Sequence, residues 1–206
     1  VQDDREPPYN KLKPLIEKVA RLQTHLCNKL IGEVQAAFKE NPDVDEATVI
    51  KMWQVKLGAP KNRILMQLME DGALRKKLDK LDAEMAADFR KNERFKFKEE
   101  LYYVIDEKQH TSDLTELGRN AIHPENPDAF VLPDLPTIFM EIDANKSMTP
   151  QQKQEAKLRE EDKFIALSED IHCISQLLRA YSIYERDVEY VVQDGKVHIV
   201  DPNTGR

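Results

Sequence analysis

The chain has 206 residues, with 38 acidic side chains against 31 basic ones and a net charge of −7 at neutral pH. That length suits one ordinary domain or two small packed lobes. Its six glycines (Gly32, Gly58, Gly72, Gly118, Gly195 and Gly205) nowhere adopt the G-x-x-x-x-G-K-[ST] or G-x-G-x-x-G spacing, which excludes both phosphate-cradling loops and a nucleotide-driven enzyme within this stretch.

The charge is unevenly placed. Residues 1–100 carry 20 basic and 18 acidic side chains, residues 101–206 carry 11 and 20, so two regions with different surroundings are expected. Past Pro7, Pro8 and Pro14, the residues Leu15, Val19, Leu22, Leu26, Leu30, Val34 and Phe38 step by three or four, which predicts a helix with these on its buried face, ending near Asn41-Pro42. Asp45 is placed to cap a second helix carrying Val49, Met52, Trp53 and Leu57, with Gly58 as its left-handed terminator. Ile64 to Met69 and the series Leu74, Leu78, Leu81, Met85, Phe89 predict further helices, so residues 1–98 read as an all-helical lobe.

At residue 101 the period changes. Leu101 to Ile105 is β-branched and aromatic and runs into Asp106-Glu107-Lys108, the pattern of a strand and turn. Asp113 reads as the cap of a short helix from Leu114 to Asn120, with Glu116 completing a capping box. Pro124, Asn126, Pro127, Pro133 and Pro136 mark an irregular connection. Thr149, Pro150 and Gln152 then open a helix expected over 149–185, striped by Phe164, Leu167, Ile171, Ile174, Leu178 and Tyr181. Asp194-Gly195 between two β-rich runs predicts a hairpin over 188–200. The fold class expected is α+β and mostly helical: a helical lobe over 1–98, then a core over 99–206 holding a small antiparallel sheet, one long helix and the C-terminal hairpin.

No apolar run is long enough to cross a bilayer, and Val1 to Glu6 lacks a signal pattern, so a soluble cytosolic chain is expected. Cys27 and Cys173 each lie in helical patterns among apolar neighbours and read as reduced core thiols. His25-x-Cys27 and His172-Cys173 supply metal-type ligands, but neighbouring helical positions diverge, and ordinary packing is the better reading. Asp143-x-Asn145-x-Ser147-x-Thr149 resembles the start of a calcium loop without its sixth-place glycine or twelfth-place glutamate, which favours a polar linker. The basic stretch 74–98, interleaved with Phe89, Phe95 and Phe97, could hold phosphates of nucleic acid or anionic lipid. Its five acids favour instead a solvated helix with i, i+4 pairs. The hairpin's outer strand could add an extended peptide, or be structural only; the residues alone leave both open.

Arg186 to Asp201, followed by Thr204-Gly205-Arg206, resembles a stretch characteristic of the SecA family of preprotein-translocating motor ATPases. Leu177-Leu178-Arg179-Ala180-Tyr181 through Tyr184 resembles the helix before it. Val104-Ile105-Asp106-Glu107-Lys108 with Leu114-Thr115-Glu116-x-Gly118 resembles an upstream strand and helix in the same order. The resemblance is specific over about 101–120 and 171–206. It implies the preprotein cross-linking domain, an insert joined to the first nucleotide-binding domain by two antiparallel strands. Residues 36–98 resemble an enlargement found in some bacterial lineages, and Pro202 stands where the family usually has an acid.

By this resemblance the chain is a clamp for unfolded preproteins and signal peptides, without a catalytic site or metal of its own. ATP and Mg would belong to the parent motor. Its partners would be the flanking nucleotide-binding and helical domains, with the SecYEG channel reached through the parent and no nucleic acid expected. The location implied is cytoplasmic, peripheral to the inner membrane. Tyr190, Val192, Val197 and Ile199 are the expected preprotein contacts. The competing reading is a stand-alone helical adaptor that docks a partner protein or an anionic surface through residues 74–98.

Overall fold

The computed structural model describes residues 8–126 and 128–182, together with the backbone of 190–193 and 196–199. The first helix, α1 (Pro8–Glu40), is followed by α2 (Glu46–Gly58), α3 (Arg63–Leu68), α4 (Gly72–Met85), a 3₁₀ turn at Asp88–Arg90, and α5 (Lys91–Lys98). Then come β1 (Tyr103–Asp106), β2 (Thr111–Leu114), α6 (Glu116–Ile122), α7 (Leu135–Ala144), α8 (Pro150–Ser182), β3 (Tyr190–Gln193) and β4 (Lys196–Ile199). Each pair of strands forms its own two-stranded antiparallel sheet, so the mostly helical α+β class holds.

Caps fix the helix starts. Asp45, Asn62 and Asp71 each accept a hydrogen bond from the backbone N–H three residues on, at 2.9, 3.1 and 2.9 Å. At α8 the reciprocal box is complete: Gln152 N donates to Thr149 Oγ1 at 3.2 Å, and Thr149 N donates to Gln152 Oε1 at 2.9 Å.

The buried stripe of α1 is Leu12, Ile16, Val19, Gln23, Cys27, Ile31 and Val34. This corrects the predicted face: of its members only Val19 and Val34 are buried, while Leu15, Leu26, Leu30 and Phe38 pack at the margins. The helix is turned by one residue because Gln23, polar by type, finds partners inside. Its Nε2 donates to the carbonyls of Tyr103 (2.7 Å) and Gly58 (3.2 Å), and its Oε1 accepts from Tyr102 N (2.9 Å).

Three other expectations are corrected. Gly58 is not a left-handed terminator; a Cβ there would stand 2.6 Å from Gln23 Nε2 and 3.1 Å from Cys27 Sγ, so closeness to α1 demands the glycine. Asp113 lies in β2 opposite Val104, and the cap of α6 is Thr115. Phe89 falls beyond the end of α4, in the 3₁₀ turn, and is 84% exposed. Within the connection read as irregular, α7 forms from Leu135, with Pro136 accommodated in its first turn.

Two apolar clusters share α1. Its second half packs with Trp53 and Met52 of α2, Leu65 of α3, and Leu74, Leu78 and Met85 of α4. Its first half packs with Tyr103 and Ile105 of β1, Ile122 of α6, and Ile174, Leu177 and Leu178 of α8.

Candidate functional site

The hairpin that carries the predicted contacts closes in a defined register. Tyr190 pairs with Ile199, Val191 with His198, Val192 with Val197, and Gln193 with Lys196. Cross-strand partners share a face, and so do residues two apart, so Tyr190, Val192, Val197 and Ile199 occupy one face of the ladder as two adjacent pairs. Asp194-Gly195 and Pro202 lie outside the described residues, as does the segment 183–189. β4 approaches α8, the helix whose last turns carry Leu177, Leu178 and Tyr181.

Beside the end of α8 runs an open groove of about 570 Å³, lined by Glu17, Arg21, Thr24, His25 and Asn28 of α1 with Tyr181. Tyr181 is 39% exposed, and its hydroxyl donates to Glu17 Oε1 at 2.8 Å. The lining is mostly polar and charged, with Ala20 and the Tyr181 ring as its apolar members.

The strand–helix motif over 104–118 has a structural role that its sequence did not disclose. Thr115 Oγ1 donates to the carbonyl of Leu101 and accepts from Gly118 N at 3.2 Å, capping α6 and tying it to the strand entry. A Cβ on Gly118 would stand 2.0 Å from Tyr102 O, so α6 can seat against the chain only with glycine there. Gln23 and the Tyr102 backbone belong to this joint. Sequence reasoning missed both, since a backbone carbonyl carries no residue signal and Gln23 reads as a surface type.

The other candidates separate. Cys27 is buried, and burial pushes its thiol up to about 12, so it stays protonated and unreactive at neutral pH. His25 is exposed two residues away. Burial, and then the charge of Asp170, raise the Cys173 thiol also. Among the described residues no three His, Cys, Asp or Glu side chains are grouped to hold a metal. Asp143 pairs with Lys157 at 2.7 Å, and its carbonyl accepts from Lys153 at 2.8 Å. Among the described residues no helix is long and apolar enough to cross a membrane.

In the basic stretch the predicted i, i+4 pairing is mostly replaced by one hub. Arg90 contacts Glu46 at 2.6 Å, Glu93 at 2.8 Å and Glu84 at 3.1 Å. The hydrogen bonds to Glu93 and Glu46 raise its pKa, and Arg90 in turn lowers that of Glu93. Arg94 donates to Met85 O at 2.8 Å.

A family model described as the SecA preprotein cross-linking domain matches residues 80–206. The chain is 39% identical over 204 residues to "Protein translocase subunit SecA" of Chloroherpeton thalassium, covering 96% of this chain and 20% of that protein. It is 34% identical over 210 residues to the protein of the same name from Chlorobaculum tepidum, covering 98% of this chain and 20% of that one. With the relative from Chlorobium phaeobacteroides it shares 36% over 201 residues, covering 96% and 20%. The chain thus spans about a fifth of the length of the curated relatives it matches. No solved structure gives a significant match.

Proposed function

The chain belongs to the SecA preprotein cross-linking domain family, and on that premise we propose that it is the substrate-handling clamp of a SecA-type translocase. The observation that carries the reading is the match over residues 80–206, which includes the whole C-terminal hairpin. Its physical support is an element with a backbone edge and four apolar positions on one face, whose second strand approaches α8, the helix that lends Tyr181 to the open groove. Backbone pairing gives grip with little sequence demand, which suits a substrate that is any unfolded preprotein or signal peptide.

In this reading residues 1–98 form a helical lobe and residues 99–206 the cross-linking core, with α1 common to both. The parent motor hydrolyses ATP with Mg in flanking nucleotide-binding domains and delivers preprotein to the SecYEG channel from the cytoplasmic face of the inner membrane. The chain has no phosphate-cradling glycine loop, among its described residues no group of three His, Cys, Asp or Glu side chains is placed to hold a metal, and in this reading ATP and Mg belong to the parent motor.

The test is site-specific photo-crosslinking in the intact protein, with a photoreactive residue in turn at Tyr190, Val192, Val197 and Ile199. A translocating preprotein should be labelled from all four, and less from Val191 and His198 on the opposite face. Equal labelling from both faces, or labelling only elsewhere, would overturn the site.

A further inference from the structure

Between β2, α6 and α8 lies a half-open cavity of about 130 Å³, and two polar groups on its wall are not used by the fold. Ser112 is 1% exposed, yet its hydroxyl has no hydrogen-bond partner among the described residues, and neither has the buried Nε of Arg119. Buried polar groups in folded proteins are nearly always satisfied, so two unsatisfied ones on a single cavity point to a ligand.

The register of the first sheet explains why they meet. Ser112 stands opposite Ile105 and Leu114 opposite Tyr103, so Ser112 and Leu114 share the face of β2 that packs toward α8. Asp113, opposite Val104, is exposed on the other face. Arg119 reaches the same cavity from α6, and its Nη1 donates to the Leu114 carbonyl at 3.3 Å. Among the described residues Arg119 is in no ion pair, so a half-buried guanidinium stands without a counter-ion. Apart from Asp113 and Ser175, the remaining wall is apolar: Leu114, Phe130, Ile171 and Ile174, with the Phe130 ring edge-on to His123 at 6.4 Å between centroids.

From this arrangement we infer that the cavity is a carboxylate-binding site. The carboxylate sits on Arg119 and the Ser112 hydroxyl, and a short apolar body lies against Leu114, Phe130, Ile171 and Ile174. With Nη1 engaged by Leu114, the guanidinium still offers the edge formed by Nε and Nη2, two parallel N–H groups spaced to match the two oxygens of a carboxylate. One cation and one hydroxyl suit a single negative charge, and the apolar wall gives the further oxygens of a phosphate nothing to bind. A cavity near the size of one that holds benzene takes about six non-hydrogen atoms. Two sources carry this chemistry: a free short-chain acid, and the acidic side chain of a polypeptide segment laid over the mouth.

The experiment is saturation-transfer NMR on the intact protein, with butyrate as the probe and butyramide as its uncharged analogue. Butyrate should receive saturation with a dissociation constant of about a millimolar, and butyramide should bind at least about tenfold more weakly. Arg119→Gln should weaken butyrate about tenfold, and Ser112→Ala about fivefold with an unchanged melting temperature. The Ser112→Ala arm stands by itself if Arg119→Gln does not fold. The capped peptide acetyl-Ala-Glu-Ala-amide separates the sources: displacement of butyrate below the dissociation constant of butyrate itself assigns the site to a polypeptide side chain, and weaker displacement assigns it to a free acid. No transfer to butyrate overturns the inference, because a cavity that holds only water gives none. Equal binding of butyramide overturns it, as does transfer to butyrate that neither substitution reduces.

Discussion

The two apolar clusters meet along α1 but are held by different means. The first is side-chain volume: Trp53, Met52, Leu78 and Met85 fill the space between α1, α2, α3 and α4, and the Trp53 indole N–H is satisfied by Asp82 at 3.0 Å. The second has a two-stranded sheet too small to stand alone, and it relies on close backbone approach, with Gly118 pressed on the Tyr102 carbonyl and Thr115 binding the strand entry. A volume-filled cluster accepts many apolar sequences of similar size, whereas a backbone contact accepts one residue. The recognisable motif over 104–118 lies at the second kind of contact, and the first kind builds a lobe most of which precedes the residues that the family model matches.

Substitutions can break that contrast or sharpen it. The largest effect is expected from Gly118→Val, which drives a side chain into a backbone carbonyl: about 4 kcal/mol or more lost in denaturant unfolding. Amide protection should vanish first in β1 and β2 while α2 and α4 keep theirs; equal loss in both regions would mean that the two clusters form one unit. Trp53→Ala is the mirror image, at about 3–5 kcal/mol, with protection lost first in α2 and α4.

Gln23→Leu removes the joint between them. Tyr102 N–H and the carbonyls of Gly58 and Tyr103 lose a shared partner, which should cost about 3 kcal/mol and lower protection on both sides together. The last effect is nil at neutral pH and appears only as the pH rises. The Cys27 thiol ionises near its ordinary value of 9.0 when unfolded and only at about 12 when folded. Between those values the folded state holds the extra proton, so stability falls as pH rises through that window, by at most about 1.4 kcal/mol per pH unit. Melting curves across it should show the decline in the parent chain and its loss in Cys27→Ala; an unchanged slope in the variant would place the titrating group elsewhere.

Much of this was legible in the sequence. The caps Asp45 and Thr149, the helical lobe ending at Lys98, and the C-terminal hairpin follow from side-chain chemistry within a few residues of each element. What escaped was set by distant partners. The phase of α1 turns on Gln23, whose contacts lie 35, 79 and 80 residues away. β2 (Thr111–Leu114) escaped because Thr-Ser-Asp-Leu lacks a β-rich run and pairs only because β1 is beside it. α7 was hidden by Pro133 and Pro136, which mark a helix start as readily as a loop. Of the candidate site, the sequence disclosed the hairpin and its alternation; the hub at Arg90 depends on side chains from α2, α4 and α5 converging in space.

The position of Gln23 has one more consequence, for how the lobe is joined to the rest. Its side chain touches Tyr102 and Tyr103, so everything from Thr24 to Leu101 is a closed excursion that leaves and re-enters at a single point. Two chain ends that one side chain can span can also be bridged by a short turn, and loop closure then costs little. Geometry therefore lets the segment 24–101 change in length while its two ends stay where Gln23 holds them.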